Sequence, residues 1–402
     1  MMNGGNDKTE SPPFSRLTRK ISGPRSRAWD ITDRAVQMER DGREIIHLGV
    51  GDPDFNTPQS IIDAAIESMQ SSRTHYAPVP GETNLRKAIA QEYSASTGSH
   101  FGYEQVVIFP GAQAALFATM LCLSGPGDEV ILLEPFYATY EGVACGGGAD
   151  CVTVPLSADT HFGLDIDRIA AAVSGKTRVI LANSPGNPTG AVFSREGWIE
   201  LAELCRKKNI WLISDEVYSS LVFDGDYFSP LNIPQARPNS AVVSSVSKSH
   251  AMTGWRLGWT ITPPELAHHL DNLSQSMVFG VSQFTQDAVT HALRKPPAEL
   301  DAIREATRRR RNVLCDALEK IAGLTVHRPA GGMFVMVDVS ALGCDGNRFA
   351  NELLDAEGVA VVPGFAFGDS VRDCIRIGYL HDEAVLREAA DRIGRFVDGF
   401  GS

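Results

Sequence analysis

Short apolar runs alternate with helical stretches through the middle of the chain. "QVVIFPG" leads into "AQAALFATMLCL", and "DEVILLE" and "ADCVTVPL" follow. "TRVILAN" precedes the loop "SPGNPTG". The helical "REGWIELAELCRKKN" separates that loop from "IWLISD" and "AVVSSVS". Apolar runs of this length, bounded by turn residues, predict buried strands. Strands alternating with helices predict a parallel sheet covered on both faces. Ligands of such sheets sit beyond the carboxyl ends of the strands, so the polar residues that follow the runs are the ones to inspect.

Past about residue 300 the pattern changes. The helical "LDAIREATRRRRNVLCDALEKI" is followed by "LTVHRPAGGMFVMVDVS", "NRFANELLDAEG", "VAVVPG", "CIRIGYL" and a closing helix. This predicts a smaller α+β lobe. The expected division is a large domain over 61–299 and a small domain built from 26–60 and 300–402. Residues 1–25 are expected to form a disordered or extended arm. The run Arg308–Arg311 is expected to be a solvated helix face.

Composition narrows the function. With 402 residues, 43% of them hydrophobic, the chain can fill more than one core. A net charge of −12 with no basic block argues against nucleic acid. Seven cysteines without C-x-x-C, and ten histidines without H-E-x-x-H, predict neither a disulfide framework nor a metal site. No apolar stretch approaches the roughly 20 residues of a membrane span. The start of the chain lacks an apolar secretory core. A cytoplasmic location, away from membranes, is the expectation.

Lysine is scarce, at nine against 28 arginines, yet Lys248 stands among serines in "SSVSKSHAMTGWRLGW". Three apolar runs end in an amide, an acid and an amine: Asn187, Asp215 with Tyr218 three residues on, and Lys248. If the three strands are parallel neighbours, these groups converge. An aldehyde cofactor held as a Schiff base needs this set. The amine forms the imine, the acid keeps a pyridine nitrogen protonated, and Asn and Tyr donate to a phenolic oxygen. A phosphate dianion needs a guanidinium, a hydroxyl and backbone N–H groups. Arg256, Ser245 and the helix opened by Gly111 in "PGAQAAL" offer them. A desolvated lysine can also lose its proton and move another, which arginine cannot. Each feature alone has an ordinary reading as a cap, a turn or a surface lysine. Their order in one α/β chain favours a single site.

With these residues the chain resembles the class I and II aminotransferases of the fold type I pyridoxal phosphate enzymes. "SVSKSHAMTGWRLG" matches the family's lysine-attachment signature, and "GVGDPDFNTP", "HYAPVPG", "NSPGNPTG", "ISDEVY" and "GGMFVMVD" extend the likeness. The resemblance implies a mostly parallel seven-stranded sheet between helices, plus the smaller α+β domain. It implies that Lys248 is the catalytic residue joined to pyridoxal 5'-phosphate. Asp215 would meet the pyridine nitrogen, and Asn187 and Tyr218 the phenolic oxygen. Ala112 and Gln113 would give backbone amides to the phosphate, with Ser245, Arg256 and, more weakly, Ser247. Tyr137 matches an aromatic stacked on the ring. Arg376 would fork the substrate α-carboxylate, with Gly51 and Asn187 beside it. Tyr76 matches a tyrosine that reaches the neighbouring subunit's phosphate, which implies a homodimer with shared sites. Gly186 replaces the family's usual Asn, and Phe365 its usual Ser; Phe365 is expected to alter either a lobe-closing loop or substrate access.

The implied reaction moves an amino group from an L-amino acid to a 2-oxo acid by a ping-pong route. Likeness beyond the cofactor motifs suggests arginine or another basic donor, with pyruvate as acceptor. Aspartate, aromatic or broad-range transamination is the alternative, and a carbon–sulfur β-lyase on the same fold a more distant one. No motif identifies a second arginine for a dicarboxylate side chain.

Overall fold

A computed structural model describes residues 13–21, 25 and 29–400. A two-residue strand, β1 (Ile46–His47), comes first. The main sheet holds β2 (Val106–Phe109), β3 (Glu129–Glu134), β4 (Asp150–Pro155), β5 (Thr177–Asn183), β6 (Trp211–Asp215), β7 (Ser240–Ser245) and β8 (Gly258–Ile261). Their order across the sheet is β2-β8-β7-β6-β5-β3-β4. All neighbours are parallel except β8, which runs against both β2 and β7. The hydrophobic pattern did not predict β8. It is four residues long and lies directly behind the lysine segment, with no helix separating it from β7 long enough for a parallel return.

The central strands β3, β5 and β6 are largely apolar because both faces are covered, yet their residues alternate, whereas the edge strand β4 is partly exposed. Ile131, Leu133, Ile180 and Leu212 join one core with Trp198 and Leu201 of the helix Arg195–Lys208. Val130, Leu132, Val179, Leu181 and Ile213 join the opposite core with Leu116 and Met120 of the helix Ala112–Leu123. Trp198 is fully buried, so its truncation to alanine costs about 3–5 kcal/mol. Ser194 starts its helix by accepting the Gly197 N–H at 3.0 Å, and Asn209 ends it in the left-handed region.

The remaining strands are β9 (Thr325–His327), β10 (Phe334–Asp338), β11 (Val359–Ala360), β12 (Val362–Pro363) and β13 (Cys374–Gly378). An antiparallel sheet has the order β12-β13-β10-β9, while β1 pairs parallel with β11. A further core gathers Ile31, Ala35, Ile46 and Leu48 with Leu314, Val335, Phe349, Ile375 and Leu386. The early segment thus packs with the C-terminal elements.

Two details differ from expectation. Within the expected arm, Arg16–Ile21 is helical, although so short a helix is marginal alone. Lys20 ties it down, donating to the Gly148 carbonyl at 3.1 Å and to Asp150 at 2.8 Å. Residues 1–12, 22–24 and 26–28 lie outside the described set. The arginine run is not one solvated face either. Arg308 and Arg309 face solvent, but Arg310 and Arg311 are buried. Arg310 forks Asp54 at 2.6 and 3.0 Å, and Arg311 pairs with Asp224. Four consecutive helical residues span more than a full turn, so they cannot all point one way. All seven cysteines are free, with the Cys145 and Cys151 sulfurs 2.9 Å apart. Among the described residues no helix is long and apolar enough to cross a membrane.

Candidate active site

Strands β5, β6 and β7 are parallel neighbours, and Asn183, Asp215 and Val243 stand side by side in register. The chain then leaves β7 through Ser245 into a single helical turn, Val246–Ser249, that carries Lys248. Beside it, the Asn183 side chain accepts the Asn187 N–H at 2.7 Å and donates to the Asp215 carbonyl at 2.9 Å. That stitch fixes the turn bearing Asn187. A Cβ on Gly186 would meet Thr189 Oγ1 at 2.8 Å, and the Gly186 N–H donates to Ala191 at 2.9 Å. The glycine thus leaves Asn187 in place.

A cavity of about 260 Å³ opens at this edge of the sheet. It brings together Gly51, Ala112, Gln113, Tyr137 and Asn187 with Asp215, Tyr218, Ser245, Ser247, Lys248, Arg256 and Arg376. Tyr76 does not line it: that side chain is 82% exposed, its ring edge-on to Phe279 at 5.2 Å. Phe365 is half-buried and lies outside the lining; its neighbour Phe367 stacks on Arg376 at 4.7 Å.

One end of the cavity is built for an anion. The helix Ala112–Leu123 starts there, and its first N–H groups have no partner within the helix. Gly111, at φ +91°, caps it, and a Cβ on Gly111 would meet Arg256 Nη2 at 2.5 Å. A Cβ on Gly258 would meet the Ala112 nitrogen at 2.5 Å. Only glycines at both positions let the guanidinium and the helix start converge. Ser245 lies beside them, its hydroxyl accepting the Ser247 N–H at 3.3 Å.

The titratable groups are held away from water. Burial pushes the Asp215 carboxyl up to about 6, against the Tyr140 hydroxyl at 2.7 Å and the Val217 N–H at 3.2 Å, both of which pull it down. Burial lowers the Lys248 ammonium to about 8; Asp52 opposes this, and Arg256 and Arg376 add to it. Its Nζ donates to the Gly51 carbonyl. Burial raises the Tyr218 phenol, whose oxygen lies 3.5 Å from the Asn187 amide nitrogen.

Arg376, on β13, is only 1% exposed. It donates to Asn187 Oδ1 at 2.8 Å and to the Gly49 carbonyl, and lies 3.9 Å over the Phe334 ring. Its Nε has no partner, and no ion pair holds it among the described residues. Burial draws its pKa down to about 10. A buried guanidinium with no carboxylate is costly unless something else uses the charge.

Motif reading missed Tyr140, Asn183, Trp29 and Phe334, which also line the cavity. Tyr140 had a signal, standing three residues after Tyr137 in "EPFYATY". Away from the cavity lining, donor atoms of His327, Asp338 and Cys374 fall within 4.8 Å of one another.

Residues 43–393 match the family model described as aminotransferase class I and II. The chain belongs to that family. An arginine–pyruvate transaminase of Pseudomonas aeruginosa is 47% identical over 380 residues, covering 94% of this chain and 97% of that one. An aspartate/prephenate aminotransferase of Thermus thermophilus is 33% identical, over 94% and 98%. Among solved structures, the aspartate aminotransferase of Thermus thermophilus with maleate has a TM-score of 0.91 and 32% identity, covering 96% of this chain and all of that one. That of Rhizobium meliloti has a TM-score of 0.91 and 31% identity, covering 97% and 99%. This aminotransferase has the fold type I architecture and depends on pyridoxal phosphate. The glycine-lined anion cradle and the buried carboxyl, amide, phenol and lysine of the cavity fit that group.

Proposed function

We propose that this aminotransferase takes the amino group of L-arginine or another basic L-amino acid and gives it to a 2-oxo acid such as pyruvate. The observation that carries an α-carboxylate ligand is Arg376, a buried guanidinium fork lacking an anionic partner among the described residues. The likeness to the arginine–pyruvate transaminase supports the donor and acceptor. A second reading, an aspartate-type or broad-range specificity, is favoured by the aspartate/prephenate relatives.

Bound pyridoxal phosphate supplies an aldehyde that takes up the amino group and a ring that accepts electrons from the α-carbon. The residues would divide the work as follows. Ala112, Gln113, Ser245 and Arg256 hold the phosphate, with Ser247 at its side. Asn187 and Tyr218 bind the phenolic oxygen. Asp215 keeps a proton at the pyridine nitrogen, itself oriented by Tyr140. Tyr137 covers the ring. Arg376 grips the α-carboxylate, with Asn187 and Gly51 against it. Lys248 would move the α-proton, and the burial of its amine already favours the neutral form. Phe334 and Leu116 supply apolar wall to the cavity.

Screening the 20 amino acids for conversion of the enzyme-bound aldehyde cofactor to its amine form tests this reading. A dominant response to arginine and lysine supports it. A response to aspartate and glutamate alone overturns the donor assignment. Release of ammonia and pyruvate without an acceptor would instead mark a β-lyase.

A homodimer with shared sites, located in the cytoplasm, completes the proposal. Tyr76 and Phe279 are exposed aromatics in contact, suited to an interface. Seven free thiols suit a reducing compartment. If Tyr76 serves the partner's phosphate, mixing inactive Lys248→Ala with impaired Tyr76→Ala restores activity through sites holding both native residues. No recovery on subunit exchange would remove the shared site.

A further inference from the structure

A second cavity, of about 310 Å³, adjoins the first, and Trp29 and Gln113 line both. The two cavities meet along this shared wall of Trp29 and Gln113, which is where a side chain passing from the first would enter the second. The charged residues on its wall are Arg25 and Glu141. Their arrangement is already a guanidinium site. Arg25 pairs with Glu141, lies 3.8 Å from Glu134 Oε2, and sits 5.0 Å over the Phe136 ring. Two carboxylates against one guanidinium leave a formal negative charge unmatched. An incoming carboxylate side chain would find Arg25 taken. An incoming cation that displaces Arg25 from Glu141 would find that carboxylate, an indole and the amide of Gln113, which is held by Thr139 at 3.0 Å.

We propose that Glu141 determines specificity by receiving the positively charged side chain of the amino donor, with Trp29 providing the adjoining aromatic wall. The inference rests on the arginine-donor reading and deepens it. Glu141 is about a quarter exposed at its side chain, open to ligand but partly desolvated. Arg25 occupies the place such a ligand would take, and so competes with it.

The test is the half-reaction of the holoenzyme with L-arginine and with L-norleucine, an uncharged chain of similar length. Glu141→Gln lowers the arginine-to-norleucine ratio of kcat/KM by about 10–100-fold, the range of one charge-assisted hydrogen bond. The loss falls mainly on arginine affinity. Glu141→Asp, which keeps the charge, retains part of the ratio. Arg25→Gln raises the ratio, because the competing cation is gone. If Arg25→Gln and Glu141→Gln lower it alike, the pair only anchors the N-terminal segment and the inference fails. An unchanged ratio in Glu141→Gln also overturns it while leaving arginine as donor. No arginine turnover by the native enzyme overturns both.

Discussion

Replacing Arg376 with methionine should separate function from stability. The substitution removes both prongs of the proposed α-carboxylate fork. Each hydrogen bond to a charged group is worth about 1.5–3 kcal/mol. Losing two lowers kcat/KM by roughly 10²–10⁴-fold for every amino acid. The fold should barely notice. Arg376 is buried without an ion-pair partner among the described residues, and taking its charge out of the interior relieves a desolvation penalty on the order of several kcal/mol. Against that stand its bonds to Asn187 and Gly49, worth about 1.5–3 kcal/mol each because the donor is charged. The two contributions roughly offset, so the net is within about 3 kcal/mol of zero. Arg310→Met is the control, because it strands Asp54, which Arg310 forks at 2.6 and 3.0 Å. Since Asp54 is partly exposed, roughly 1–3 kcal/mol of destabilisation is expected there. Denaturant unfolding of the cofactor-free proteins and single-turnover kinetics of the holoenzymes make the comparison. An Arg376→Met protein that fails to fold, or that binds amino acids normally, would refute the reasoning.

Lys248→Ala should abolish the visible absorbance of lysine-bound cofactor and cut turnover by at least ~10²; an unchanged spectrum would remove the assignment. In the cofactor-free protein Asp215 has its pKa raised from 3.8 to about 6. The folded state therefore holds a proton that the unfolded state has released, and stability falls as pH rises from about 4 to 6. Asp215→Asn escapes this loss and should gain up to ~3 kcal/mol over the native chain above pH 6; parallel pH curves would contradict it. Tyr140→Phe deletes a donor that lowers the Asp215 pKa, so the same window should move to higher pH, as infrared titration of the carboxyl would register.

Most of the large sheet was readable because its central strands are covered on both faces, so they appear as apolar runs. "TRVILAN" and "AQAALFATMLCL" coincide with β5 and with the helix Ala112–Leu123. β8 was not readable, since four residues cannot distinguish a strand from the end of the signature before it. Of the cavity residues, those whose charged or polar group stands inside a recognisable motif, such as Asp215 and Lys248, were found. Asn183 escaped because its task is to hold a turn, and Trp29 because it arrives from a distant segment. The arginine run shows the limit of charge counting. Its four residues look alike in sequence, but helical rotation sends two of them inward to Asp54 and Asp224.

The loop from Gly49 to Thr57 borders the cavity through Val50 and Gly51. Its carbonyls occupy both working cations: Gly49 takes Arg376 and Gly51 takes Lys248. Farther along, Asp52 accepts from Thr253 at 2.6 Å, Asp54 holds Arg310, and Thr57 donates to Ala251 at 2.6 Å. The loop is therefore a resident competitor, pinned downstream and free to yield only at its first residues. Affinity for an amino acid is then a difference between two sets of hydrogen bonds. A change at Asp54 or Arg310, far from any reacting atom, can tighten or weaken substrate binding by altering how readily the chain's own carbonyls let go.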